Sequence, residues 1–377
     1  MYTRHWMTLQ TIGSYASKLR PELSADAFEP ARSRLLWIPV HVGIIVLAAT
    51  AIARGWVAWP FAFLLSLVIG GSFGGLTFLA HETLHGGVVR GKRLRHLVGW
   101  IGFCHFFVSP TLWIAWHNKV HHGNAGSKTG ADPDAYPMLA QYQNSRAVRI
   151  VTDTFSLGAD HRWGVLSLFF GFTGQSGQVL VTARKLLGMS ASEHRRVIAE
   201  VVLAVVLWGT VAVVVGPLAF LFIYGIPLVV ANAVVMAFIL TNHSLSPRTE
   251  INDPLANSLS VTTPPLVEWL TLRFGYHVEH HLFPAMSSRH APQVRDLIRA
   301  HWPERYQSMP LTDALIAMTR TGRVYKDDTT LIDPLTGHES PTLAAGVASA
   351  LPAPIRPRVA SPRGKPAAAS LSFDLHE

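Results

Sequence analysis

Four stretches of this chain are each long and apolar enough to cross a lipid bilayer, and they constrain the fold more than any other feature. They run over about residues 35–53, 57–80, 197–215 and 217–240, and a spanning helix needs about 20 mostly apolar residues. The first two are joined by RGW and its neighbours, the last two by little more than Gly216 and Pro217, so they read as two tight hairpins. Composition agrees: the chain is 49% hydrophobic and 15% charged, against about 25% charged in an ordinary soluble protein. Two further apolar runs, LVGWIGFCHFFVSPTLWIAW (97–116) and WGVLSLFFGFTGQSGQVLV (163–181), are interrupted by His105, Pro110, Gln175 and Gln178. Hydropathy alone leaves open whether these cross or lie in the interface.

Charge gives the orientation. Apart from Arg54, every lysine and arginine lies outside the four apolar stretches and their short connections. By the positive-inside rule, the N-terminal arm, the 81–196 stretch and everything after Thr241 are expected on the cytoplasmic side. The net charge of +9 is then a product of topology, and nucleic acid is not an expected partner. The single cysteine, Cys104, rules out a disulfide framework and a Cys-rich zinc or iron–sulfur site. The start, MYTRHWMTLQ, lacks the pattern of a cleavable signal peptide. The Ala- and Pro-rich stretch from about Pro341 reads as a disordered tail. The chain therefore divides into an arm (1–34), a membrane domain (35–340) and a tail (341–377).

Three histidine clusters carry the chemistry. HETLH places His81 and His85 one helical turn apart around Glu82, the H-E-x-x-H pattern of zinc proteases, in which the glutamate is the general base. HNKVHH supplies His117, His121 and His122, and HVEHH supplies His277, His280 and His281. In each cluster two members fall at i and i+4, on one helix face. Imidazole suits zinc, copper, iron and nickel alike. A catalytic zinc takes three protein ligands and a water, so eight histidines are too many for one zinc and match two metals. Glu82 is accordingly expected to be a supporting or surface group. If the clusters share a site, the run 97–116 must bend back or lie in the interface, and 163–181 must not span. Asp132 and Asp134 in ADPDAY are candidates for orienting metal-bound histidines or for capping a turn. His41 and His105, outside any cluster, are expected to make local hydrogen bonds.

HETLH, HNKVHH and HVEHHLFP, in this order around two apolar hairpins, resemble the three histidine boxes of the membrane fatty acid desaturase superfamily, over about residues 30–310. The resemblance implies an all-α integral membrane protein, with four transmembrane helices in two hairpins and a helical cytoplasmic cap bearing the boxes. It further implies two non-haem iron ions, dioxygen, and removal of hydrogen from an unactivated carbon of an acyl chain. The implied ligands are His81, His85, His117, His121, His122, His277, His280 and His281, with His243 of TNHSLSP as a further ligand at the end of the last span. Asn242 beside it would reach the metal through a water or cap the helix. The HHLFP ending looks more like acyl-lipid than acyl-CoA desaturases. Hydroxylases and ketolases of lipids or carotenoids share similar boxes and form the alternative; a membrane zinc protease is the reading from another class. With no HPGG haem motif and one cysteine, electrons would come from a separate ferredoxin, rubredoxin or cytochrome-type donor. The implied substrate is a fatty acyl lipid or acyl thioester. Trp113, Trp116 and Phe274 either line its slot or serve as interfacial anchors and packing.

Overall fold

The computed structural model describes residues 9–128, 132, 135–158 and 161–343. Asp134 and most of the expected tail, residues 344–377, lie outside the described residues. Helix α1 (Ile12–Leu19) is capped by Thr11, whose side chain accepts from the Ser14 amide, and it buries Tyr15 and Leu19. Helix α2 covers Arg32–Ala53 and α3 covers Trp59–His85. Pro60 sits in the first turn of α3, and Gly86 ends it in the left-handed region at φ 98°, the usual division of labour between these two residues. Helix α3 thus runs past its apolar stretch, and its last turn carries His81 and His85.

The next elements form a corner. Helices α4 (Lys92–Phe106) and α5 (Pro110–Asn124) meet at 100°, through Phe107 in a left-handed conformation at φ 57°. The run 97–116 therefore folds back on itself. Ser109 caps α5, accepting from the Leu112 amide at 3.1 Å. Its hydroxyl donates to Glu200, as do the Thr111 amide and hydroxyl, which ties the corner to a later helix. Helix α6 spans Leu166–Leu186. Helix α7 (Ala191–Val215) opens on a Ser190/Glu193 capping box and ends at Gly216, φ 80°. Pro217 then starts α8 (Pro217–His243).

Among the described residues, α2, α3, α7 and α8 are the four helices long and apolar enough to cross a membrane. Leu47, Val213 and Leu218 on them are more than 70% exposed, as side chains that face lipid must be. Helices α3 and α8 approach closely because Gly70 lies against Val230 and Pro227, the small-residue contact that brings membrane helices together. Gly102 lets α4 approach α3 in the same way, against the Leu76 carbonyl.

The C-terminal part completes the fold: α9 (His277–Leu282), α10 (Ala291–His301) and α11 (Leu311–Arg320). The all-helical expectation needs one correction. Strands β1 (Ser260–Thr262) and β2 (Ser308–Pro310) pair in parallel, and β3 (Val324–Asp327), β4 (Thr330–Ile332) and β5 (Glu339–Pro341) form an antiparallel sheet. Strands this short show too little period-2 alternation to be read from sequence. The buried Arg323–Asp333 pair, 2.6 Å, closes the second sheet on itself, and the Tyr325 hydroxyl, donating to the Ser246 carbonyl at 2.7 Å, fixes that sheet to the body. One apolar core runs among the long helices; a second lies under α1, around Tyr15, Leu19, Leu255, Val278, Val294 and Ile298.

Candidate metal centre

The end of α3, the second half of α5, the last residue of α8 and the short helix α9 converge. They bring eight of the nine expected histidines into two groups. His81, His85, His117 and His280 form one; His121, His243, His277 and His281 form the other. Within each, one ring nitrogen of every member lies within 4.8 Å of the others. The first box serves one group only. The second and third boxes are divided between the two. His117 and His121 both lie on the π-helical stretch Ile114–His121, and His117 joins the first group and His121 the second. π-helical turns are rare and frequent at functional sites. His122, the ninth, belongs to neither tight group, but its Nε2 lies 3.1 Å from His280 Nε2 and its ring 4.6 Å from that of His85.

The nitrogens face one another. His81 and His117 bring Nε2 atoms to 3.1 Å, His243 and His277 to 2.7 Å, and His277 and His281 to 3.0 Å. His85 Nε2 is buried without a hydrogen bond. One proton satisfies at most one such pair, whereas a cation at the centre takes a lone pair from every ring. The donor sets therefore fit metal ions, and imidazole-only sets suit iron, zinc, copper or nickel. Burial, reinforced by the neighbouring imidazoles, holds His277 and His281 well below the usual histidine pKa and His280 at about 3. Neutral imidazole is the ligating form.

Three rings are held from behind. His121 Nδ1 donates to Asp132 at 3.0 Å, so Asp132 orients a boxed histidine. His243 Nδ1 donates to the Asn257 carbonyl at 2.9 Å. His277 Nδ1 faces the Asn242 amide nitrogen at 3.0 Å, while the Asn242 amide oxygen is buried without a partner; with the amide turned over, that oxygen accepts Nδ1–H. The first two bonds, and the third with the amide so turned, leave Nε2 free to ligate. Asn257 gives no sequence signal, because it acts through its backbone.

Glu82 points away from the histidines. Buried, it pairs with Arg34 and accepts from the Ser287 hydroxyl at 2.6 Å and the Ser288 amide at 3.1 Å. It joins the start of α2 to the loop after the third box. Glu279, inside the third box, is anchored similarly by Ser260 and Tyr306, both at 2.6 Å. His105 makes the expected local bond, 3.0 Å to Thr77.

An apolar cleft of about 540 Å³ opens on the histidines. Trp113, Trp116 and Phe274 line it, as do Phe103, Phe172 and Ile239, which sequence reasoning did not single out. Trp113 stacks on His117 at 4.4 Å, so the cleft wall and the histidine rings share a surface. A second opening of about 370 Å³ reaches His81, His277 and His280 past Arg273 and Tyr276.

Four helices long and apolar enough to cross a membrane thus accompany two adjoining histidine groups that could each hold a metal ion, with an apolar cleft against them. The family model for fatty acid desaturase matches residues 13–312, and the chain belongs to that family. A search of curated proteins finds no match.

Proposed function

We propose that the protein is a dioxygen-dependent acyl-chain desaturase with a di-iron centre. The observation that carries this is the pair of four-histidine groups opening on one apolar cleft. In this reading His81, His85, His117 and His280, with His122 beside them, hold one iron, and His121, His243, His277 and His281 hold the other. Bound there, the irons supply the dioxygen activation that an unactivated C–H bond requires and that protein acids and bases do not provide. The reaction balances as –CH₂–CH₂– plus O₂, two electrons and two protons giving –CH=CH– and two waters.

The chain's own side chains do the rest. Trp113, Trp116, Phe172 and Phe274 hold the acyl chain against the centre and exclude water, so that register decides which carbons react. The electrons come from a separate ferredoxin, rubredoxin or cytochrome-type protein, drawn to the basic face by charge complementarity. The asymmetry of lysine and arginine supports a cytoplasmic location for that face, the boxes and both termini. A hydroxylase or ketolase on the same centre is the second reading, favoured by the polar Gln175 and Asn242 in the cleft wall. A zinc protease is disfavoured, because Glu82 is committed to Arg34, Ser287 and Ser288.

Iron quantification and Mössbauer spectroscopy on the purified chain test the centre. The expected result is two irons per chain, with loss of iron in His121→Ala and His280→Ala. One firmly held zinc that survives both substitutions would overturn the proposal.

A further inference from the structure

The two histidine groups are supported very differently. In the second, three of four rings have a fixed partner behind them: Asp132 for His121, the Asn257 carbonyl for His243 and Asn242 for His277. All four members are buried. In the first, His85, His117 and His280 are only partly buried. Among the described residues, no ring nitrogen of its four members bonds to a carboxylate, amide or carbonyl; the polar contacts are to other imidazoles. His122 adds a fifth ring, but its Nδ1 is also unbonded.

A hydrogen bond behind a ligating imidazole fixes its tautomer and orientation and raises its basicity, and losing one typically costs about 10–100-fold in metal affinity. A ring without one keeps rotational freedom that it must surrender when metal binds. From this difference we infer that the two sites are unequal. The His121/His243/His277/His281 site fills first and retains its ion, whereas the His81/His85/His117/His280 site is the labile one. Asp132 is the positioning residue that makes the largest difference, because it supplies a charged acceptor, with its side chain 3% exposed.

This inference rests on the reading that the histidines hold two metal ions, and metal exchange tests it without reference to activity. The full chain in detergent, stripped and reloaded with Co²⁺ alone, is challenged with excess chelator, and retained cobalt is counted over time. Two phases are expected, each of one ion per chain. Asp132→Asn, which keeps size and a hydrogen-bond acceptor, should speed the slow phase by about 10–100-fold and leave the fast phase unchanged. His85→Ala should remove the fast phase and keep one slowly lost ion. Release of both ions in one phase from the native chain overturns the inference while leaving two ions standing, as does an Asp132→Asn effect confined to the fast phase. A native chain that never takes up a second ion overturns the two-ion reading and this inference with it.

Discussion

At the scale of single residues, Glu82 shows how spacing and chemistry separate. HETLH has the letters of a zinc-protease helix, yet the carboxylate turns away from the imidazoles towards Arg34, Ser287 and Ser288. Breaking a buried ion pair from one side leaves the other charge uncompensated and costs about 3–5 kcal/mol. Glu82→Ala is therefore expected to lower thermal stability by that order. It should also loosen the loop after the third box, which a melt in detergent and limited proteolysis would read. An undiminished melt together with lost activity would instead give Glu82 a chemical role. The histidines themselves were legible because imidazoles at i and i+4 in three clusters have few structural explanations. Their division was not: His81 meets His117 and His122 meets His280 across 36 and 158 positions of sequence, and such pairings depend on the tertiary fold. Arg34 as the partner of Glu82, 48 positions away, was hidden for the same reason.

At the scale of elements, helix length delivers the histidines. The apolar stretches ending near residues 80 and 240 marked the spans, but α3 and α8 continue to His85 and His243. The last turns of two apolar helices thus carry members of the two histidine groups. Hydropathy sees where lipid ends; the helix ends only where Gly86 turns left-handed. The corner between α4 and α5 brings the second box back beside the first, held by Ser109 and Thr111 on Glu200 and by the close α3–α4 contact at Gly102. A Cβ at Gly102 would overlap the Leu76 carbonyl, one turn before His81. Gly102→Val is expected to force the two helices apart, at a cost of about 1–3 kcal/mol for overpacking. A lower melting temperature and lower metal content are the measurable signs, and native values for both would show that this contact does not position the first box. The bend itself followed from requiring all boxes on one side, whereas the β3–β4–β5 sheet, built from strands of three or four residues, left no comparable mark in the sequence.

At the scale of the whole molecule, the proposed bilayer orientation and two-ion centre meet the apolar cleft. The orientation has its own test, helped by the burial of Cys104, the only cysteine. With that residue replaced, Arg54→Cys should react with an impermeant thiol reagent on intact cells. Glu304→Cys should react only after permeabilisation, and the reverse pattern would place the centre on the opposite face. The cleft and the centre meet in the reaction product, and this is the measurement nearest to the central claim. A host expressing the native chain beside His121→Ala and His280→Ala is grown under ¹⁸O₂, and its lipids are analysed by mass spectrometry. Acyl chains lighter by two hydrogens, free of ¹⁸O, and present only with the native protein are expected. Chains that carry ¹⁸O and depend on the same histidines would contradict desaturation and make the protein a hydroxylase or ketolase.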